Sequence, residues 1–256
     1  MLERFRRIKL EEIKDLKRMK RLGSFPAPFC GTRPGLKPRL KGGAPAIIAE
    51  IKKASPSHGE IKTDQDTGEL AAIYAQNGAE AISVLTEEHL FHGHVQDLNL
   101  AAPPGLPLLR KDFILDPVQM EHTASTPASA VLLIVRFIGE QSKLCDLIGI
   151  GQELGLEMVT EVFSAQELDC ARRAGADIVQ VNNRNLDNLE VDLDNSRSLV
   201  KEKKDQEIWI SASGLDTRKQ CLEMHYLGFD ACLIGTSVML ASDPGEKLNE
   251  LTGVRR

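Results

Sequence analysis

Residues 46–57 read Ala46-Ile47-Ile48-Ala49-Glu50-Ile51-Lys52-Lys53-Ala54-Ser55-Pro56-Ser57. The first six form a short apolar run, partly β-branched, of the kind that makes a strand buried on both faces of a parallel sheet. A doubly wound sheet would follow this strand with a turn of the form G-x-G-x-x-G and usually has fewer strands. Here the run leads into Glu50, Lys52 and a Ser-Pro-Ser turn. Seven further runs follow: Ala81–Leu85, Leu106–Leu109, Ala130–Phe137, Glu157–Val162, Asp177–Val181, Glu207–Ile210 and Ala231–Ile234. Between them lie helix-like segments, among them Thr67–Asn77, Ser142–Leu154, Ser164–Ala174, Ser196–Lys203 and Thr217–Leu227. Several stop at a glycine (Gly78, Gly155, Gly175, Gly228), the usual C-terminal signal. Eight βα units predict an α/β fold, a (β/α)8 TIM barrel, as one domain over residues 1–256.

Upstream of the first strand, Leu2, Phe5, Ile8, Ile13, Leu16 and Met19 make an amphipathic helix ending near Gly23. Its Arg- and Lys-rich face reads as the solvated side of a helix packed on a core, in preference to a nucleic-acid or membrane surface. Pro26, Pro28, Pro34 and Pro38, with Gly31, Gly35, Gly42 and Gly43, then form a linker-like stretch. Residues 1–45 are therefore expected to be an N-terminal helical extension and linker.

Composition narrows the classes. With 42% hydrophobic and 27% charged residues, the chain is neither collagenous, coiled-coil nor disordered. A net charge of −5 supplies no basic field for nucleic acid or an anionic membrane. The longest strongly apolar run, Ala130–Val135, is far short of a membrane span. Cys30, Cys145, Cys170, Cys221 and Cys232 are odd in number and contain no C-x-x-C, which reads as reduced thiols in a cytoplasmic protein. The charged N-terminus, with Glu3, Glu11, Glu12 and Asp15, fits neither a signal nor a transit peptide.

A barrel carries its active site at the carboxyl ends of its strands. Glu50 and Lys52, two residues apart, share one face of the first strand. They are either an ion pair of the barrel core or an acid–base pair. Arg110-Lys111-Asp112-Phe113 follow the third run, and the fifth reaches Glu161. Asn182-Asn183-Arg184 follow the sixth, where the asparagines could serve a turn while Arg offers its fork to an oxyanion. Ser213-Gly214 and Gly235-Thr236 follow the last two runs, where barrels often bind phosphate. Lysines, carboxylates, an Asn and an Arg beside a phosphate cup suit acid–base chemistry on an anionic sugar phosphate. His89, His92 and His94 cluster without completing a metal-ligand pattern. No Walker loop or G-x-S-x-G is present.

The residues Ile47–Ser57 resemble the signature of the indole-3-glycerol phosphate synthase family. Ile82–Glu87, Leu108–Ile114, Val131–Val135, Asn182–Leu186, Glu190–Leu193, Ser213-Gly214 and Leu233–Ser237 with Met239 match it in family order. The resemblance implies a (β/α)8 barrel whose N-terminal extension helps cover the substrate, with no cofactor and no metal. It implies ring closure, decarboxylation and dehydration of 1-(2-carboxyphenylamino)-1-deoxyribulose 5-phosphate in tryptophan biosynthesis. Carried over by motif, Lys111 is the general acid of ring closure and Glu161 a later general base. Lys52, near Glu50, is a second acid or carboxylate binder, and Asn182 orients the substrate. Arg184, Ser213, Gly214, Gly235 and Thr236 hold the phosphate. Phe91, Phe113, Leu132, Leu186 and Leu233 line the anthranilate pocket. Ser55 and Ser57, in the first motif, are counted with the substrate-binding residues, and Ser213 also with the catalytic ones. Cations near a catalytic lysine are expected to lower its pKa.

One departure stands out. The family reads Ser-Glu-Ser-Gly where this chain has Ser211-Ala212-Ser213-Gly214, so a carboxylate expected near the lysines is missing. That admits an alternative, a catalytically weakened sugar-phosphate-binding barrel relative. A different barrel enzyme acting on a phosphorylated sugar is disfavoured by the Glu-x-Lys-x-x-Ser-Pro-Ser run. The expected partner is a small anionic sugar phosphate, and the expected state is a monomer without nucleic-acid or membrane partners.

Overall fold

The computed structural model describes residues 2–42, 44–55, 59–61 and 65–253. Eight parallel strands close into a barrel: β1 (Ala46–Ile51), β2 (Ala81–Leu85), β3 (Leu108–Lys111), β4 (Ala130–Ile134), β5 (Glu157–Val162), β6 (Ile178–Asn182), β7 (Ile208–Ala212) and β8 (Ala231–Ile234). Each strand pairs with its sequence neighbours, and β1 closes the ring against β8 with Ile48 opposite Leu233. The helices on the outside are α1 (Leu2–Arg21), α2 (Leu36–Leu40), α3 (Thr67–Gln76), α4 (Asp97–Ala101), α5 (Pro117–Ala124), α6 (Val135–Ile138), α7 (Gln141–Glu153), α8 (Ala165–Arg173), α9 (Asp194–Leu199), α10 (Arg218–Leu227), α11 (Thr236–Leu240) and α12 (Pro244–Thr252). Asp66, Asp116, Ser164, Thr217 and Asp243 cap their N-termini by side-chain acceptance, which satisfies amides that have no partner within the helix.

Strand alternation sorts the side chains into two sets. Ile47, Ala49, Ile51, Val84, Val131, Leu133 and Trp209 face the helices and build the outer core. Ile48, Leu109, Leu132, Val159, Ile178, Ile210 and Leu233 face inward and fill the barrel. Glu50, Lys111, Glu161 and Asn182 continue the inward parity at the carboxyl ends, so the period of two delivers chemistry to one mouth.

The sixth and seventh strands run over Ile178–Asn182 and Ile208–Ala212, one to two residues later than expected, and two other boundaries matter more. The third strand runs over Leu108–Lys111, not Leu106–Leu109, so Arg110 and Lys111 are strand residues with fixed opposite orientations. The fourth stops at Ile134, and Val135–Ile138 turns into a helical segment closed by Gly139 at φ +80°. An unbroken apolar run carries no mark of where extended backbone becomes helical.

The N-terminal stretch does more than link. Phe5, Ile13 and Leu16 of α1 join the inner core, and α1 lies against α5. Lys9 pairs with Asp112 at 2.6 Å, Lys17 with Asp116 at 2.6 Å and Lys20 with Glu121 at 2.5 Å. The basic face of the helix is thus partly matched by barrel carboxylates. The chain then descends past α5, where Phe29 N–H donates to the Ala124 carbonyl at 3.0 Å. Leu36 and Leu40 of α2, both fully buried, join one cluster with Ala46, Ala81, Ala130 and Ala231. Those alanines begin their strands, and their small side chains leave room for the two leucines to plug the amino end of the barrel. The Glu157 carboxylate accepts from the Leu36 and Lys37 amides and fixes the start of α2.

Candidate active site

The carboxyl ends of the strands surround a cavity of about 620 Å³. Its walls include Glu50, Lys52, Ser55, Phe91, Lys111, Phe113, Leu132, Glu161, Asn182, Arg184, Leu186, Ser213, Gly214, Leu233, Gly235 and Thr236. The structure therefore brings together every site residue expected from the sequence but one. Ser57 lies outside the described residues.

Glu50 is the electrostatic centre. Its Oε1 lies 2.9 Å from Lys52 Nζ, and its Oε2 accepts from Lys111 Nζ at 2.6 Å. Lys52 also donates to Thr236 Oγ1 at 3.0 Å, tying the first strand to the loop after the last. Burial alone would raise the Glu50 pKa, but the two ammonium groups overcome it and pull it down to about 2. Lys111 moves the other way from the expectation. Burial disfavours its charge, yet Glu50 and Glu161 outweigh both burial and the more distant Arg184, so its pKa is raised. The expected lowering by neighbouring cations is corrected here, because the nearest charges are carboxylates.

Opposite stands Glu161. It accepts from Asn182 Nδ2 at 3.0 Å and Gln180 Nε2 at 2.6 Å. Burial raises its pKa against the pull of Lys111 and these two amides, which suits a carboxylate that must take up a proton. Asn182 Oδ1 in turn accepts from the Arg184 amide at 2.9 Å. Half-buried Arg184 is braced by the Leu189 carbonyl, at 2.9 Å from its Nη1.

The end near β7 and β8 is shaped by backbone. Ser213 and Gly214 have φ of +72° and +80°. Left-handed backbone is unfavourable for serine and marks a constrained turn of the kind found at ligand sites. A side chain at Gly235 would run into the Glu50 carboxylate, so only glycine lets this loop approach the first strand.

The other end is aromatic. Phe5 stacks on Phe113 with ring centroids 3.9 Å apart and lies 6.0 Å from Phe91. Phe5 and Lys247 also line the cavity, though sequence reasoning placed neither there. Phe5 sits on the apolar stripe of α1, and only the tertiary path of the helix reveals which stripe residue reaches the mouth. Lys247 belongs to α12, where nothing local distinguishes it from a solvated lysine.

Ala212 is buried on the inward parity, opposite Asn182 of β6 and Leu233 of β8. Two nearby acids are engaged elsewhere. Glu87 accepts the amides of His89, Leu90 and Phe91 at 2.7–3.1 Å, and Asp112 pairs with Lys9 and Arg110. Among the described residues, Glu50 is the one carboxylate paired with the two lysines. There, too, no group of three or more His, Cys, Asp or Glu is placed to hold a metal ion, and no helix is long and apolar enough to cross a membrane.

A family model described as indole-3-glycerol phosphate synthase matches residues 2–251. The indole-3-glycerol phosphate synthase of Aquifex aeolicus (strain VF5) is 43% identical over 210 residues, covering 81% of each chain. That of Legionella pneumophila (strain Paris) is 38% identical over 253 residues, covering 98% of each. Among solved structures, the 3-hexulose-6-phosphate synthase of Salmonella typhimurium aligns with a TM-score of 0.66 at 15% identity, over 81% of this chain and 97% of that one. At that identity the likeness is one of fold.

Proposed function

The chain belongs to the indole-3-glycerol phosphate synthase family, and from that premise we propose how its mouth divides the labour of the reaction. The enzyme is a carboxy-lyase of tryptophan biosynthesis. It converts 1-(2-carboxyphenylamino)-1-deoxyribulose 5-phosphate to indole-3-glycerol phosphate, carbon dioxide and water.

The phosphate sits against Ser213, Gly214, Gly235 and Thr236, with Arg184 as its main counter-charge. The anthranilate ring lies among Phe91, Phe113, Leu132, Leu186 and Leu233, beneath Phe5. Anchoring both ends presses the ring carbon that bears the carboxylate against the ketone carbon, which replaces a search by a short approach. As that carbon–carbon bond forms, the ketone oxygen takes its proton from Lys111. Carbon dioxide then leaves from the attacked ring carbon, and its electron pair stays on the ring. The new hydroxyl departs as water with a proton from an ammonium, while Glu161 removes a proton from the former methylene carbon to complete the indole. Lys52 serves as that second acid or holds the substrate carboxylate, and Asn182 orients the intermediates. Ser55 contributes a polar contact at the cavity wall.

The observation that carries this reading is one arrangement: two lysines sharing Glu50, opposite an amide-held Glu161, in a cavity with apolar walls at one end. We read the working protein as a cytoplasmic monomer acting on a free small molecule, consistent with its five free cysteines. The test is a fluorescence assay for the indole product with purified protein and no added metal. Indole emission with one carbon dioxide released per product supports the reading. Tight substrate binding with no product overturns it in favour of a binding-only relative.

A further inference from the structure

Gln180 lies in the middle of β6, on the inward parity with Ile178 and Asn182 and opposite Glu161 of β5 and Ile210 of β7. Its inward-facing neighbours Val159, Ile178 and Ile210 are apolar and fully buried. Gln180 is itself fully buried, its Nε2 donates to Glu161 Oε2 at 2.6 Å, and its Oε1 has no hydrogen-bond partner among the described residues. A buried amide with one oxygen unmatched is costly, and an aliphatic side chain would fill the same space without that cost. The arrangement secures the second oxygen of Glu161, whose first is held by Asn182.

We propose that Gln180 is a positioning residue: it fixes the plane of the Glu161 carboxylate and keeps that group ionised for proton removal. The proposal rests on the reading of Glu161 as a general base. A carboxylate that loses a donor in a dry site becomes easier to protonate and freer to rotate. Both effects act on turnover and leave substrate binding nearly unchanged.

The experiment compares pH profiles of kcat and KM for the parent, Gln180→Met, Gln180→Glu and Glu161→Gln. Gln180→Met keeps the length and apolar volume. It is expected to move the acid limb of kcat up by about one pH unit and to lower kcat near neutral pH about three- to tenfold, with KM within about twofold. Gln180→Glu can donate an O–H to Glu161 while protonated. It should therefore approach parental kcat on the acid side and lose activity as pH rises. A parental acid limb in Gln180→Met, or a fall in kcat with no movement of the limb, overturns the proposal. If Gln180→Met does not fold, the nearly isosteric Gln180→Glu decides: a parental pH profile overturns the proposal. Parental turnover in Glu161→Gln removes the base assignment itself. Collapse of Glu161→Gln beside an unmoved Gln180→Met profile overturns only the role given to Gln180.

Discussion

Lys111 Nζ lies 2.6 Å from Glu50 Oε2, an ion pair spanning two strands that are not neighbours in the barrel, β3 and β1. Glu50 is almost fully buried, and Lys111 opens into the cavity. With Lys111 in its proposed role as general acid, the pair holds the proton that ring closure consumes until substrate arrives. Without a carboxylate at position 212, both lysines are met by the same acid, each taking one oxygen of Glu50.

Removing that carboxylate should reset the lysine. In Glu50→Gln the charge that raises the Lys111 pKa is gone, so the alkaline limb of kcat should move to lower pH. The fold loses something else. Glu50, held at about 2, contributes stability above the unfolded carboxylate pKa, and this is lost as pH falls from about 4.5 toward 2. The variant should show a flatter fall in denaturation midpoint across that window. An unchanged alkaline limb would break the link between Glu50 and Lys111.

Arg184 is assigned to the phosphate, which does not change during the reaction. A grip felt equally in ground and transition states affects KM and spares kcat. Arg184→Ala should raise KM about ten- to a hundredfold with kcat within a few-fold of the parent, as for a lost charge-assisted contact. Steady-state kinetics decide it: a collapse of kcat at unchanged KM would place the residue at the reacting atoms.

Lys9 anchors α1 over the mouth. Its ammonium is buried against Asp112 at 2.6 Å and Glu12 at 2.5 Å, and Asp112 also pairs with Arg110 and accepts from Thr86. Breaking one partner of a buried pair strands the other charge and costs roughly 3–5 kcal/mol. Arg110 and Thr86 remain, so Lys9→Met should lie at the lower end, about 3 kcal/mol in urea unfolding. A loss below about 1 kcal/mol would class the contact with ordinary surface pairs. Because Phe5 rides on the same helix, KM should rise in this variant as well.

The fold was legible because eight apolar runs alternate with helical segments, and the mouth because Glu50, Lys111, Glu161 and Asn182 end runs of fixed parity. What stayed hidden was decided by tertiary packing. Leu36 and Leu40 sit in a Pro- and Gly-rich stretch that reads as linker, and only the ring of strand-initial alanines shows that they plug the barrel. The apolar continuity of residues 130–138 concealed the change from strand to helix. The left-handed Ser213 leaves no trace in residue type, and Gln180 reads as one more residue of a buried strand until its partner is seen.

Lys111→Ala tests the central claim most directly, with substrate binding and single-turnover product formation measured on the same sample. The account predicts substrate affinity within a few-fold of the parent and product formation slowed by about a hundred- to ten-thousandfold, as befits loss of a general acid. Product formation within a few-fold of the parent would contradict it.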